Sequence, residues 1–569
     1  MRTKSFLLTG VFVVMCLFGY AQEDRDLKKE VNVRTNFKPK IKKAKRIGEM
    51  PDVADTLTVK KQFDYSIRSK SLNVDFKPGS IKAAKMTSVP MKKVQGHSFD
   101  LAAGNYATLF ADYRYNNLNS NKTDFGLHLQ HYSSNGKLEL DNGSKVNPDW
   151  SEFLAEVYGN HYLSDAKVSS RIFFKNKSFN YYGSSLSGFE DNIFEYDNQR
   201  YNLVGLEASY ETLNKDAKDL NYKLGVDLEY FTDKYNVSEI DLGVNGSAEL
   251  KAGDGFWSLE SSLNFIQTNN LVYWSIDLDD LKDYDVNSTL WVVNPSYNLT
   301  AGNFNMKLGF KAQSVLGNDS EFKLYPDVKF NLVLVDQVLD MFAGLDGNLD
   351  LNTMRSTTNA NPFVHSGLDV ESTSTDYRVY GGLKTRISAK SNALISVEYA
   401  SIDNQYFFSM ANEAISPEGL PYQQNYFNKY GVVYDNLSKL SLTGEMDLQV
   451  NKELNLYALA KYTHYSLDAL EEAWNMPNFE METKANYRFT DQWLFTARLL
   501  FVGERKVMTN NDMAKLDALA DFGLGAEYKW NDILSVYANV NNIFDAESYL
   551  WYGYPSQGIN GMIGLKLVF

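Results

Sequence analysis

The stretch Tyr222-Lys223-Leu224-Gly225-Val226-Asp227-Leu228-Glu229-Tyr230 decides the fold. Tyr222, Leu224, Val226, Leu228 and Tyr230 share one phase of a two-residue repeat, and Lys223, Gly225, Asp227 and Glu229 share the other. A repeat of two sends successive side chains to opposite faces of a β-strand. An apolar face bounded by tyrosines and backed by charges suits a strand with lipid on one side and water on the other.

The same pattern recurs along the chain. Phe322, Leu324, Val328, Phe330, Leu332 and Leu334 oppose Lys323, Tyr325, Asp327, Lys329 and Asn331. Pro326 falls on the apolar face there and is expected to mark a bulge, because it has no N–H for the ladder. Ala518, Ala520, Phe522, Leu524, Ala526 and Tyr528 oppose Asp521, Gly523, Gly525, Glu527 and Lys529. Many segments run past ten residues. Soluble strands average about five or six, whereas a tilted membrane-crossing strand needs about 9–11.

The connections alternate in length. Tight turns follow Leu250, Thr300, Val335, Ala389, Val450, Phe489 and Lys529. Long connections run from Ser133 to Asp149, Tyr181 to Asn192, Asn269 to Asp285, Asn352 to Thr375 and Ser409 to Gln424. Long loops at one end and tight turns at the other indicate a bacterial outer-membrane barrel with its long loops outside. The expected fold is all-β: a single-chain antiparallel transmembrane β-barrel of about 22 strands, within a range of about 18 to 24 because boundaries are the weakest part of such a count.

Composition agrees. The 569 residues include 37 Tyr, 34 Phe and 8 Trp. After the first two dozen residues, no apolar run reaches the roughly 20 residues a membrane helix needs. Arg2 and Lys4, the apolar run Phe6 to Phe18 and the small residues before Gln22 read as a secretory signal peptide over 1–21. The sole cysteine, Cys16, lies inside it, preceded by Met15 where a lipoprotein site would have a small residue. A mature chain without cysteine excludes disulfides, thiolate catalysis and cysteine-ligated metals.

Residues 22–96 form a separate segment. From Glu23 to Lys93 there are 19 Lys and Arg against 9 Asp and Glu, while the remainder after the signal is strongly acidic. Such charge with few aromatics does not bury enough surface to order itself, so a flexible periplasmic arm is expected. The sharper alternative is that it enters the acidic barrel over 97–569, drawn by opposite fields. Nucleic acid is not an expected partner of a secreted envelope protein.

Ile563, Leu565, Leu567 and Phe569 form one apolar face ending in a terminal Phe. This resembles the terminal-strand signal that the barrel-assembly machinery reads. Upstream stand Val536-Tyr537-Ala538-Asn539-Val540-Asn541-Asn542-Ile543-Phe544-Asp545 and Tyr552-Gly553-Tyr554-Pro555. The chain here resembles the closing hairpin of TonB-dependent transporters, and the strand count matches that family's barrel. It looks like the plug-poor, TonB-transporter-like barrels common in the Bacteroidota. The resemblance implies an outer-membrane transport or pore-type protein for an unidentified solute. Asp55, Thr56, Leu57, Thr58 and Val59 look like that family's TonB-contact segment. The departure is that the family carries a folded plug, and here only a basic segment precedes the barrel. A non-transporting scaffold subunit of an outer-membrane assembly or secretion complex is the alternative.

A barrel this wide needs something to narrow it, since natural examples fill the lumen. The outer loops folding inward, the basic arm entering against Asp227, Glu229, Asp521 and Glu527, or a periplasmic or outer-membrane protein partner would each do so. Those carboxylates are candidates for selecting cations, or are solvated lumen charges balanced by Lys223, Lys329 and Lys529. Asp277, Asp279, Asp280, Asp283 and Asp285 read as a solvated acidic loop rather than a calcium site, having no EF-hand spacing. The loop ends would meet outer-membrane lipid and lipopolysaccharide. His128 and His131 lie three apart and face opposite sides of a strand. No Ser/His/acid grouping stands out, so neither enzyme activity nor a cofactor is expected. Deleting Phe569 should lower the fraction of chain reaching the folded, heat-modifiable form in outer-membrane extracts; an unchanged fraction refutes the insertion signal.

Overall fold

The computed structural model describes residues 96–569, apart from 118–121, 140–144, 184–197, 214–219, 273–282, 318–319, 367, 369, 411–427, 510–512 and 547. The expected signal peptide, nearly all of the basic segment 22–96, the Asp55–Val59 stretch and the loop aspartates Asp277, Asp279 and Asp280 lie outside the described residues.

Among the described residues, 22 strands form one sheet. The first eight are β1 (His97–Gly104), β2 (Leu109–Asn117), β3 (Thr123–Ser134), β4 (Trp150–Tyr162), β5 (Ala166–Asn180), β6 (Asn198–Thr212), β7 (Asn221–Thr232) and β8 (Ser238–Ala252). Then come β9 (Gly255–Val272), β10 (Asp283–Ala301), β11 (Phe304–Gly317), β12 (Glu321–Val335), β13 (Leu339–Asp350), β14 (Thr373–Ser388) and β15 (Ser391–Met410). The last seven are β16 (Tyr430–Gln449), β17 (Leu454–Leu467), β18 (Phe479–Arg488), β19 (Trp493–Val502), β20 (Leu519–Lys529), β21 (Leu534–Asn541) and β22 (Asn560–Val568).

Each strand pairs antiparallel with the next along the chain. β1 closes the ring on β22, with Ser98 opposite Val568 and Gly104 opposite Met562. Closure leaves no edge whose N–H and C=O groups would face hydrocarbon unpaired. The seam continues past the strand ends, where His97 and Phe569 exchange two backbone hydrogen bonds of 2.9 Å. Their rings stack at 5.2 Å.

The two-residue repeat sorts as the sequence requires. Leu228 is 42% exposed and Ile563 68%, both on the outer surface, while Asp227 and Glu229 line the interior. Aromatic pairs gather near the tight-turn end, among them Trp257 with Tyr297, Phe304 with Phe330 and Trp493 with Tyr528. Amphipathic rings at that level form the girdle expected where hydrocarbon meets water. The turns use residues their geometry demands. Gly253 and Gly302 have φ of 63° and 58°, the left-handed value that the first position of a two-residue hairpin loop takes.

Pro326 does not make a bulge. It stands opposite Phe310 in an unbroken β11–β12 register. The β12–β13 ladder begins only at Asp327 opposite Asp346, and the irregularity lies in the neighbouring strand, between Asp346 and Asn348 of β13. A residue with no N–H ends a ladder on the side where that N–H was needed. The next ladder, β13–β14, shifts register nearby, where Gly347 of β13 is set against Asp376 and Tyr377 of β14.

Several strands outreach the bilayer. β15 and β16 each have 20 residues, about 66 Å at about 3.3 Å per residue, against a hydrocarbon core of about 30 Å. The excess carries the long-loop end well clear of the membrane. Leu228→Arg should destabilise the barrel by about 2–4 kcal/mol, as a midplane charge does on a lipid face. Asp227→Asn, one residue away on the wet face, should cost under about 1 kcal/mol by the same sorting. Urea titration in vesicles, followed by tryptophan fluorescence, reads both.

Candidate functional site

Interior positions near the long-loop end break the polar-in rule. Phe179, Tyr201 and Phe231 fall on the same phase as Arg171, Glu207 and Glu229, yet are apolar or aromatic and buried. They pack with Met354, Val364, Phe408, Tyr430 and Tyr554 into one apolar cluster. Val364 and Tyr554 belong to loops, so the loops have folded into the mouth of the barrel.

The principal element is the β13–β14 connection, 351–372. It contains α1 (Met354–Ala360), which the sequence reading did not foresee. The helix is capped locally. The Thr353 hydroxyl accepts from the Ser356 N–H at 3.1 Å, and the Ser356 hydroxyl accepts from the Thr353 N–H at 2.8 Å, the reciprocal pair of a capping box. Beyond α1 the loop is tied to opposite parts of the wall. The hydroxyls of Tyr201 and Tyr181 donate to the carbonyls of Pro362 and Val364, each at 3.0 Å. Gln199 Nε2 donates to Ser366 Oγ at 2.9 Å. On β16, the Tyr430 N–H donates to the Phe363 carbonyl at 2.9 Å and the Tyr430 carbonyl accepts from the His365 N–H at 3.0 Å.

Other loops complete this lid. The Phe363 ring stacks on Tyr554 of the β21–β22 connection, with centroids 3.6 Å apart. Tyr430 Oη donates to the Tyr552 carbonyl at 3.0 Å, and Asn428 Nδ2 to the Tyr181 carbonyl at 2.8 Å. Arg505 spans to the carbonyls of Leu550 and Tyr549, both at 2.6 Å. Trp474 of the β17–β18 loop packs with Ala400, Ile402, Phe407 and Leu437. Aromatic pairs of this kind contribute about 0.5–1.5 kcal/mol each beyond simple burial.

The wall itself carries a ladder of charge. Arg114 pairs with Asp112 at 2.9 Å, and His128 sits between Asp112 at 2.8 Å and Glu156 at 3.1 Å. Arg171 then joins Glu156 at 2.6 Å to Glu207 at 3.1 Å. The ladder therefore runs across β2 to β6. Farther round, Asp327 holds Lys307 at 2.6 Å and Asn294 at 2.9 Å, and Arg378 grips Asp346 at 2.7 Å.

Arg355, on α1, reaches β7 and β8. Its guanidinium is paired with Glu229, lies 2.9 Å from Asp241 and 3.7 Å from Glu239. Beside it a recess of about 700 Å³ is lined by Arg171, Lys223, Asp227, Asn245 and Asn264.

Of the six lumen charges singled out by the repeat, Lys223, Asp227 and Glu229 come together on this recess. The others do not. Glu527 lines a separate recess of about 250 Å³ with Asp100, Tyr537 and Lys566. Asp521 accepts the Asn542 N–H at 2.7 Å and so shapes the β21–β22 loop. Lys329 stands opposite Lys307. Sequence reasoning missed Arg355, Glu239 and Asp241. Glu239 and Asp241 were within reach, being on the polar phase against Ile240, Leu242 and Val244. Among the apolar face of the last strand, Ile563, Leu565 and Phe569 are exposed on the outside.

Solved structures with this architecture include three outer-membrane receptors. The siderophore receptor PirA from Acinetobacter baumannii superposes with a TM-score of 0.64 at 11% identity, over 84% of this chain and 81% of its own. The ferric-catecholate import receptor Fiu from E. coli, in its closed form, gives 0.63 at 9% identity, over 84% and 82%. The chain has the barrel fold of outer-membrane receptors. The pyoverdine outer membrane receptor FpvA from Pseudomonas aeruginosa, bound to pyoverdine, gives 0.63 at 13% identity, over 84% and 79%. No family model matches the chain, and no curated protein does. The fold and the apolar outer belt together make this a transmembrane barrel of the outer-membrane class.

Within the lid, burial and the neighbouring Lys429 ammonium push the His365 imidazole down from 6.5 to about 4. It is therefore neutral in the closed lid at pH 7. A folded value below the unfolded one gives stability that is full above about pH 6.5 and falls as acid charges the opened imidazole, down to about pH 4. Once the slowing of intrinsic exchange in acid is divided out, hydrogen exchange at 363–366 should show an excess of opening that grows between pH 6.5 and pH 4. His365→Gln should flatten that excess.

Proposed function

We propose that this barrel is an outer-membrane transport or pore-type protein, receptor-like, whose outer mouth is closed by its own loops. The observation that carries the reading is the 351–372 loop, which enters the lumen and bonds to β6, β7, β8 and β16. The similar barrels include the siderophore receptor PirA and the pyoverdine receptor FpvA, and that likeness supports the transport reading.

Two sequence segments fit this role. The Asp55–Val59 stretch is the proposed contact for TonB, which would supply the energy to dislodge the lid or the cargo. Ile563, Leu565, Leu567 and Phe569 are the proposed signal to the assembly machinery. Outer-membrane lipid and lipopolysaccharide surround the belt and the loop end.

Planar-bilayer recording tests the reading. The parent chain should show little conductance. Replacing 354–368 by a short Gly-Ser turn should raise it at least tenfold. Parent and variant are each recorded with and without residues 22–96, so that any contribution of the arm is read separately. Closed traces from all four chains would overturn the proposal and return the scaffold reading.

A further inference from the structure

The carboxylates that hold Arg355 are arranged unlike any others on the wall described above. In the ladder from Arg114 to Glu207, each acid meets a cation carried by the wall itself. Glu229 and Asp241 stand directly opposite each other in the β7–β8 register. Like charges so placed repel. Glu239 lies two residues along β8. The ion pairs these three make among the described residues all go to Arg355, which comes from a loop.

One guanidinium does not satisfy three carboxylates. Glu239 is 1% exposed, and its Oε1 is buried without a hydrogen bond and faces Arg355 Nε across 3.7 Å. Asp241 Oδ1 and Arg355 Nε are likewise buried without one. A buried acceptor left open costs free energy, so the wall has capacity that the arginine does not use. The 700 Å³ recess alongside, with the amides of Asn245 and Asn264, has room for the body of a small polar molecule. The helix carrying Arg355 keeps its own capping box on leaving the wall, but gives up the bond of 3.5 Å from the Arg355 N–H to Glu239 Oε2.

We propose that Glu229, Glu239 and Asp241 form a receiving site for a guanidinium or ammonium group of the transported solute, and that Arg355 fills that site as a tethered substitute while the lid is shut. The inference rests on the transport reading and gives it a substrate class: cationic, hydrophilic and small enough for the recess. Entry of such a solute displaces Arg355 and releases α1, so arrival of cargo and opening of the lid become one event. A tethered group competes at an effective concentration near millimolar, so the solute must offer a stronger or multiple cationic contact.

Tri-arginine is the probe, with tri-glutamine as the neutral control, and binding to the full chain in detergent is measured by calorimetry at low salt. Arg355→Gln removes the internal competitor and should tighten tri-arginine binding at least tenfold. Glu239→Gln with Asp241→Asn, added to that variant, should abolish the gain. Tri-glutamine should bind neither. Should Arg355→Gln fail to fold, Arg355→Lys keeps the charge but not the two-pronged reach, and should still tighten binding about threefold. Unchanged affinity in the folded arginine variants, a gain that survives loss of the carboxylates, or equal binding of tri-glutamine each overturns the proposal. Because this is equilibrium binding, a preference for tri-arginine in a chain that never conducts would sink transport and spare the site. Conductance without that preference would do the reverse.

Discussion

Hydrocarbon offers the backbone no hydrogen-bond partner, and everything else in this molecule follows from that. A strand in lipid must find its N–H and C=O partners in two neighbours, which forces a ring. The ring is completed by β1 on β22, so no strand of the ring is left with an open side. Once the ring exists, its two faces meet different solvents, and the two-residue repeat follows as the only pattern that serves both. The aromatic girdle, the tight turns at one end and the charge ladder inside are consequences of the same closure.

The parts of the fold set by local chemistry were legible in the sequence. Tyr222–Tyr230 announced its lipid and water faces, and Gly253 and Gly302 marked turns because few other residues take their dihedrals. Pro326 was misread for a physical reason. Its missing N–H was certain, but which ladder would suffer depends on the neighbouring strand, and the break fell between β12 and β13. The lid was not legible as a structure, because a long loop reads the same whether it extends into water or folds back. A trace of it was present. Phe179, Tyr201 and Phe231 stood on the polar phase of their strands, and apolar residues on a wet wall require something apolar to cover them. Arg355 gave no such trace, since its partners are 114 to 126 residues distant in the chain.

The candidate site thus combines two kinds of interaction with different tolerance. The aromatic cluster around Phe363 and Tyr554 is sealed by burial and stacking, which are broad and cumulative. The contact of Arg355 with β7 and β8 is sparse and directional, and losing either partner leaves the other charge stranded in a poorly hydrated spot. A lid built of both is held over a broad area yet has one place where a small chemical change is felt strongly.

The seam between β1 and β22 has a bearing on biogenesis. Its strands have 8 and 9 residues, among the shortest in the ring, and they come from opposite extremes of the described chain. No partial product containing only the earlier strands can complete the cylinder. Translocation must therefore deliver the final segment while the preceding sheet waits with a raw margin, the state in which β-rich intermediates cross-pair and precipitate. A short junction limits how much of that margin is exposed during the wait. Closure over such a long sequence separation is slow, so a short junction keeps the exposed margin small for the time it takes.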